Sequence, residues 1–148
     1  MRRIILLDST PLGILANPNP TRAVTACKLW AASLAAAGHR IIVPEIADYE
    51  VRRALCLGNA VKSLALLDDL ATTFEYLPLT TAAMRLAAEL WARARQLGTP
   101  TAGAAAIDGD VILAAQSLAC DPTAMIATAN VAHLGRYAPA ELWVAISP

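Results

Sequence analysis

The chain has 148 residues, enough for one domain with its own core and no need of disulfides or a structural metal. Hydrophobic residues make up 57% of it, much of that alanine, and 12 Lys and Arg offset 12 Asp and Glu to give zero formal charge. That balance excludes a protein that gathers nucleic acid through a strongly basic whole-molecule field, so any such contact has to be local.

Cys27, Cys56 and Cys120 are odd in number and lack CxxC spacing, which points to neither a disulfide framework nor a thiolate zinc site and suits the reducing cytoplasm. The apolar run behind Met1-Arg2-Arg3 reaches only from Ile4 to Leu7, too short for a signal-peptide core or a membrane span. The cations are arginine apart from Lys28 and Lys62. Arginine's planar fork suits phosphate, although a biased genomic composition accounts for the excess equally well.

In chain order, Ile4 to Leu7 is a continuous apolar run ended by Asp8, the pattern of a strand buried on both faces. Ser9-Thr10-Pro11 starts a short helix that Gly13 and the turn cluster Asn17-Pro18-Asn19-Pro20 soon interrupt. Thr21 to Ala37 reads as a long helix closed by Gly38, and Ile41 to Val43 as a second buried strand. Pro44 opens a helix to about Leu57, Gly58-Asn59 breaks it, and Ala60 to Thr72 resumes helical spacing. Phe74 to Leu77 is a weak third strand, Thr80 to Leu97 a helix stopped by Gly98, and residues 99–103 a loop. Asp108 caps a helix to about Cys120, Ala124 to Thr128 is a strand, a short helix follows near Val131, and Leu142 to Ile146 is a final strand. Short apolar strands alternating with helices predict an α/β fold over residues 1–148, a three-layer sandwich of a mainly parallel sheet with helices on both faces. In such sheets ligands bind beyond the carboxyl ends of the strands.

The acids fall at that edge. Asp8 follows the first strand directly, where it either caps the next helix or is paired or liganded. On the third helix, a wheel count puts Glu45, Asp48 and Arg52 on a solvated side and Glu50 beside Ile46, Ala54 and Leu57 on the core-facing stripe. A carboxylate there calls for a partner, either a metal ion or Arg53 one turn on. Asp108 and Asp110 begin a helix that is apolar all round and hence buried; one serves as cap and the other is free to face the same edge as Asp8. Thr128 and Asn130, after the fourth strand, add neutral oxygens suited to a metal-bound water, or serve as turn and capping residues. His39 and His133 have no partner at catalytic or ligand spacing and read as surface or loop residues. Trp30, Trp91 and Trp143 read as core, or as interface if exposed.

The set Ile4-Ile5-Leu6-Leu7-Asp8-Ser9-Thr10, Val43-Pro44-Glu45-Ile46-Ala47-Asp48-Tyr49-Glu50, Asp108-Gly109-Asp110-Val111-Ile112-Leu113-Ala114-Ala115 and Thr128-Ala129-Asn130 resembles the PIN domain, including VapC-type toxins, over nearly the whole chain. The resemblance implies a cytoplasmic ribonuclease using Mg²⁺ or Mn²⁺ and leaving 5′-phosphate and 3′-hydroxyl ends. Asp8, Glu50 and Asp110 then match the family's catalytic acids, with Asp108 an extra acid nearby and Asn130 at a position where the family often has aspartate. By this likeness Asp8 and Asp110 contact the metal, Glu50 and Asp108 act through water, and Asn130 weakens a second metal site. Hard oxygen donors suit these ions. A homodimer and, for a toxin, a small antitoxin partner are also implied. Two rivals compete: a non-catalytic module that keeps the fold and the acidic pocket, and a receiver-like domain phosphorylated on Asp8. The second lacks a suitably placed lysine after a late strand.

Overall fold

In the computed structural model, which describes residues 1–98, 103 and 108–148, five parallel strands form one sheet in the order β3-β2-β1-β4-β5. They are β1 (Ile4–Leu7), β2 (Arg40–Pro44), β3 (Glu75–Leu77), β4 (Met125–Thr128) and β5 (Ala140–Leu142). The helices are α1 (Ser9–Leu15), α2 (Arg22–Ala36), α3 (Glu45–Leu57), α4 (Val61–Thr73), α5 (Thr81–Gln96), α6 (Gly109–Cys120) and α7 (Val131–Leu134). The loop expected over residues 99–103 lies outside the described residues except for Gly103.

The two-residue period of the central strands divides the core. Ile5 and Leu7 of β1 and Ile41 and Val43 of β2 point to one face, where Leu12, Leu34, Ala47, Val51 and Leu67 from α1 to α4 cover them. Leu6 and Ile42 point to the other. On that side Ile126 packs with Leu90 of α5 and Val111, Leu113 and Ala115 of α6. All of α6 from Val111 to Ser117 is buried, as its uniformly apolar sequence requires.

Helix ends follow local chemistry. The hydroxyls of Thr21 and Thr80 accept from the N–H groups of Val24 and Ala83, capping α2 and α5. Gly38 and Gly98 take φ of 87° and 72° just past the helices they close. Between α3 and α4 the left-handed residue is Asn59, at φ 51°, rather than Gly58; asparagine tolerates that region better than other side chains.

Two expectations are corrected. The last strand is Ala140–Leu142, not Leu142 to Ile146, and Trp143–Ala145 is a 3₁₀ turn. Leu142 pairs with Thr128, the final residue of β4, so the chain beyond has no ladder to join. Trp143 instead packs edge-on against Trp30 at 5.2 Å, and Trp30 Nε1 donates to the Ile146 carbonyl at 2.9 Å. Nor are Glu45 and Asp48 on a solvated side. Asp48 is 8% exposed and accepts from the Tyr76 hydroxyl at 2.8 Å and from Arg52, which also reaches Asp68. Glu45 Oε1 accepts from the Leu79 N–H at 2.7 Å. The β3 to α5 segment covers that side of α3, which a helical wheel cannot register.

Candidate metal centre at the carboxyl edge of the sheet

The strand order reverses direction between β1 and β4, so the crevice outside their carboxyl ends is the topological switch point where open α/β sheets bind ligands. Asp8 sits there, 7% exposed. Its N–H donates to the Ala127 carbonyl at 3.0 Å, which prolongs the β1–β4 ladder and fixes its backbone. Its side chain is held twice: Oδ1 accepts from the Ser9 N–H at 2.7 Å, and Oδ2 from the Thr128 hydroxyl at 2.6 Å. Thr128 is fully buried and its Oγ1 accepts from the Asn130 N–H at 2.8 Å, so the hydroxyl hydrogen is committed to Asp8. Asp8 is thus both the N-cap of α1 and an oriented carboxylate in the crevice.

Two more elements bring acids to the same edge. Asp108 is the N-cap of α6, Oδ1 accepting from the Val111 N–H at 3.2 Å, which leaves Asp110 in the first turn as the acid that faces Asp8. Glu50 comes from α3 and lays its carboxylate on Gly109. A Cβ at that glycine would stand 2.9 Å from Glu50 Oε2 and 3.0 Å from Oε1, so any side chain there displaces the carboxylate. Glu50 does not share the stripe of Ala54 and Leu57, both of which are exposed. It is half-buried because α6 meets it.

Electrostatics tie the four acids together. Burial, then the Asp8 carboxylate, push Glu50 above the usual carboxyl value; Arg53 opposes this, and Asp110 and Asp108 add to it. Asp110 is raised by burial, then by Asp8 and Asp108, while His133 pulls it down. Carboxylates that penalise one another's charge, on buried backbone anchors, suit a hard divalent cation in charge and in donor type. Among the described residues, no group of three or more acidic, histidine or cysteine side chains is drawn together tightly enough to hold an ion as it stands.

Asn130 and His133 exchange places relative to expectation. Asn130 is exposed at the start of α7, makes no side-chain cap, and serves the site through its backbone N–H on Thr128. His133, expected to be an isolated surface residue, places Nδ1 3.6 Å from Asp110 Oδ2. The signal that would have found it is its position in the first turn of a helix directly after a strand end, the same placement that singles out Asp8.

No protein-family model matches the chain, and no curated protein does. Solved structures do. The VapBC2 complex of Rickettsia felis, bound to a DNA fragment from its promoter, matches with a TM-score of 0.70 and 18% identity over 93% of this chain and 97% of that one. VapBC-1 from nontypeable Haemophilus influenzae matches with a TM-score of 0.70 and 18% identity over 95% and 98%. FitAcB of Neisseria gonorrhoeae matches with a TM-score of 0.69 and 20% identity over 96% and 99%. The fold is that of a VapC-type PIN domain. In this PIN fold Asp8, Glu50, Asp108 and Asp110 lie together at the switch point, with His133 beside them. A receiver-like arrangement is set aside, because the doubly wound order of that class is 2-1-3-4-5 and this sheet runs 3-2-1-4-5.

Proposed function

We propose that this chain is a cytoplasmic ribonuclease that hydrolyses RNA phosphodiester bonds with Mg²⁺ or Mn²⁺, acting as the toxin of a toxin-antitoxin pair. The observation that carries this reading is the meeting of Asp8, Glu50 and Asp110 at the switch point of a PIN fold, where each acid raises its neighbours' affinity for positive charge. Asp8 and Asp110 hold the metal; Asp8 is the fixed point, since Ser9 and Thr128 determine its orientation. Asp110 and Glu50 close on it by side-chain rotation, from elements that do not have to move. Glu50, with Asp108 behind it, orients the attacking water and accepts its proton, which its raised proton affinity favours. When bound, the ion neutralises charge on the phosphodiester and lowers the proton affinity of water. Cleavage by attack of water then leaves 5′-phosphate and 3′-hydroxyl ends.

A small antitoxin partner is proposed on the likeness to VapBC and FitAcB complexes, and a homodimer on the same footing. No helix of the described residues is long and apolar enough to cross a membrane. The test is cleavage of RNA by purified protein. We expect cleavage with Mn²⁺ or Mg²⁺, none in excess EDTA, and none from Asp8→Asn purified in parallel. Equal cleavage in EDTA, or by the Asp8 variant, removes the reading and leaves a non-catalytic module with the same fold.

A further inference from the structure

We infer that His133 supplies a nitrogen donor to the acidic site, so that the site prefers Mn²⁺ to Mg²⁺. The inference rests on the metal-dependent reading above and concerns which ion that site takes. Its basis is the position of one imidazole. His133 Nδ1 lies 3.6 Å from Asp110 Oδ2, a spacing that one ion with bonds of about 2.1 Å can bridge. The ring is 44% exposed and stands on α7, which starts two residues after Thr128, so it borders the crevice where Asp8 is held. The other histidine cannot substitute for it: His39 Nδ1 accepts from the Arg3 N–H at 2.9 Å, at the amino edge of the strands.

The consequence follows from ligand chemistry. Mg²⁺ sheds water reluctantly, binds through one or two carboxylates, and gains little from imidazole. First-row transition ions accept imidazole readily, and Mn²⁺ also keeps the oxygen preference that suits Asp8, Asp110 and Glu50. A histidine among carboxylates therefore raises affinity for Mn²⁺ while leaving that for Mg²⁺ almost unchanged. As one of four side chains around the ion it also restores some of what Asn130, exposed and turned to other work, does not give.

The experiment measures binding, not turnover. Mn²⁺ and Mg²⁺ are titrated separately by calorimetry into the wild type, His133→Ala, His133→Asp and Asp8→Asn, and electron spin echo spectra are recorded on bound Mn²⁺. Because His133 is surface-exposed, His133→Ala should fold, and circular dichroism verifies that. We expect the Mn²⁺ to Mg²⁺ affinity ratio to fall roughly tenfold or more in His133→Ala, the lower end of what perturbing a ligand shell costs. Mg²⁺ binding should recover or improve in His133→Asp. An imidazole ¹⁴N coupling should be present in the wild type and absent from His133→Ala. If Asp8→Asn abolishes Mn²⁺ binding while His133→Ala changes neither the ratio nor the spectrum, the metal site stands and this inference is overturned. If the wild type binds neither ion in a carboxylate-dependent way, the metal-dependent reading falls and takes the inference with it.

Discussion

Glu45 and Glu50 leave the same helix and meet different surroundings. Glu50 rests on Gly109 beside three other acids, whereas Glu45 accepts one backbone N–H from Leu79. Glu50→Gln should lower metal-dependent cleavage by roughly two to four orders of magnitude, the usual cost of removing a positioned catalytic group. Glu45→Gln keeps an Oε1 acceptor for Leu79 and should change stability by no more than about 0.5 kcal/mol, with activity near wild type. A dead Glu45 variant beside an active Glu50 variant, both folded, would show that the wrong carboxylate carries the chemistry. Gly109→Ala gives a second handle on the same contact. The new methyl meets only the end of a flexible side chain, so the melting temperature should hold within a few degrees while activity falls at least tenfold toward that of Glu50→Gln. Unchanged cleavage by Gly109→Ala would mean that the resting place of Glu50 is irrelevant. Asp8, Asp108 and Asp110 were legible in the sequence because strand ends and helix caps have local signals. The inward turn of Glu50 was legible in direction but not in cause, since the contact with Gly109 joins α3 to α6 and no periodicity encodes it. His133 was missed for the same reason: α7 is only one turn long, and the partner of the ring lies in α6.

Gln116 shows how the elements lock around the site. Buried at 1% exposure in α6, it accepts from the Ile46 N–H at 3.2 Å and donates to the Leu77 carbonyl at 3.0 Å. One amide thus ties the start of α3 to the end of β3 across the layer, and steadies the helix that carries Glu50. Gln116→Leu fills similar space but orphans a buried N–H and a carbonyl, so it should cost about 2–4 kcal/mol, at about 1–3 kcal/mol for each group left without a partner. Urea denaturation measures this directly. A loss below about 0.5 kcal/mol would show that water or repacking satisfies both groups. Element types were largely legible: continuous apolar runs gave β1, β2 and β4, and caps and glycines marked the helix ends. What failed was pairing. Leu142 to Ile146 has a strand's composition, yet a strand exists only as far as its neighbour reaches, and β4 stops at Thr128. The apparent solvated side of α3 failed likewise, because Tyr76 and Leu79 arrive there from a different part of the chain.

Across the whole molecule, zero net charge conceals an uneven distribution, with Asp8, Glu50, Asp108 and Asp110 gathered at one edge of the sheet and Arg2, Arg3 and Arg40 near the other. The acidic edge works against folding at neutral pH. Both Glu50 and Asp110 have carboxyl pKa values raised above their ordinary 4.5 and 3.8, so between the ordinary and the raised values the native state binds more protons than the unfolded chain. Stability then falls as pH rises through that window, and the penalty is complete above the raised values. In EDTA at pH 7, Asp110→Asn should therefore melt higher than wild type, by roughly 2–4 °C if the repulsion relieved is about 1 kcal/mol. The difference should shrink toward zero as pH drops below the ordinary values, where the native carboxyls are already neutral. Mn²⁺ relieves the same repulsion by binding. At a hundredfold excess over its dissociation constant it should stabilise the wild type by about 2.7 kcal/mol and leave Asp8→Asn, which lacks the oriented ligand, nearly unmoved. Thermal melts over a pH series, with and without Mn²⁺, check both halves. A variant less stable than wild type at pH 7, or an Asp110→Asn difference that does not change with pH, would mean that the four acids do not repel one another enough to matter.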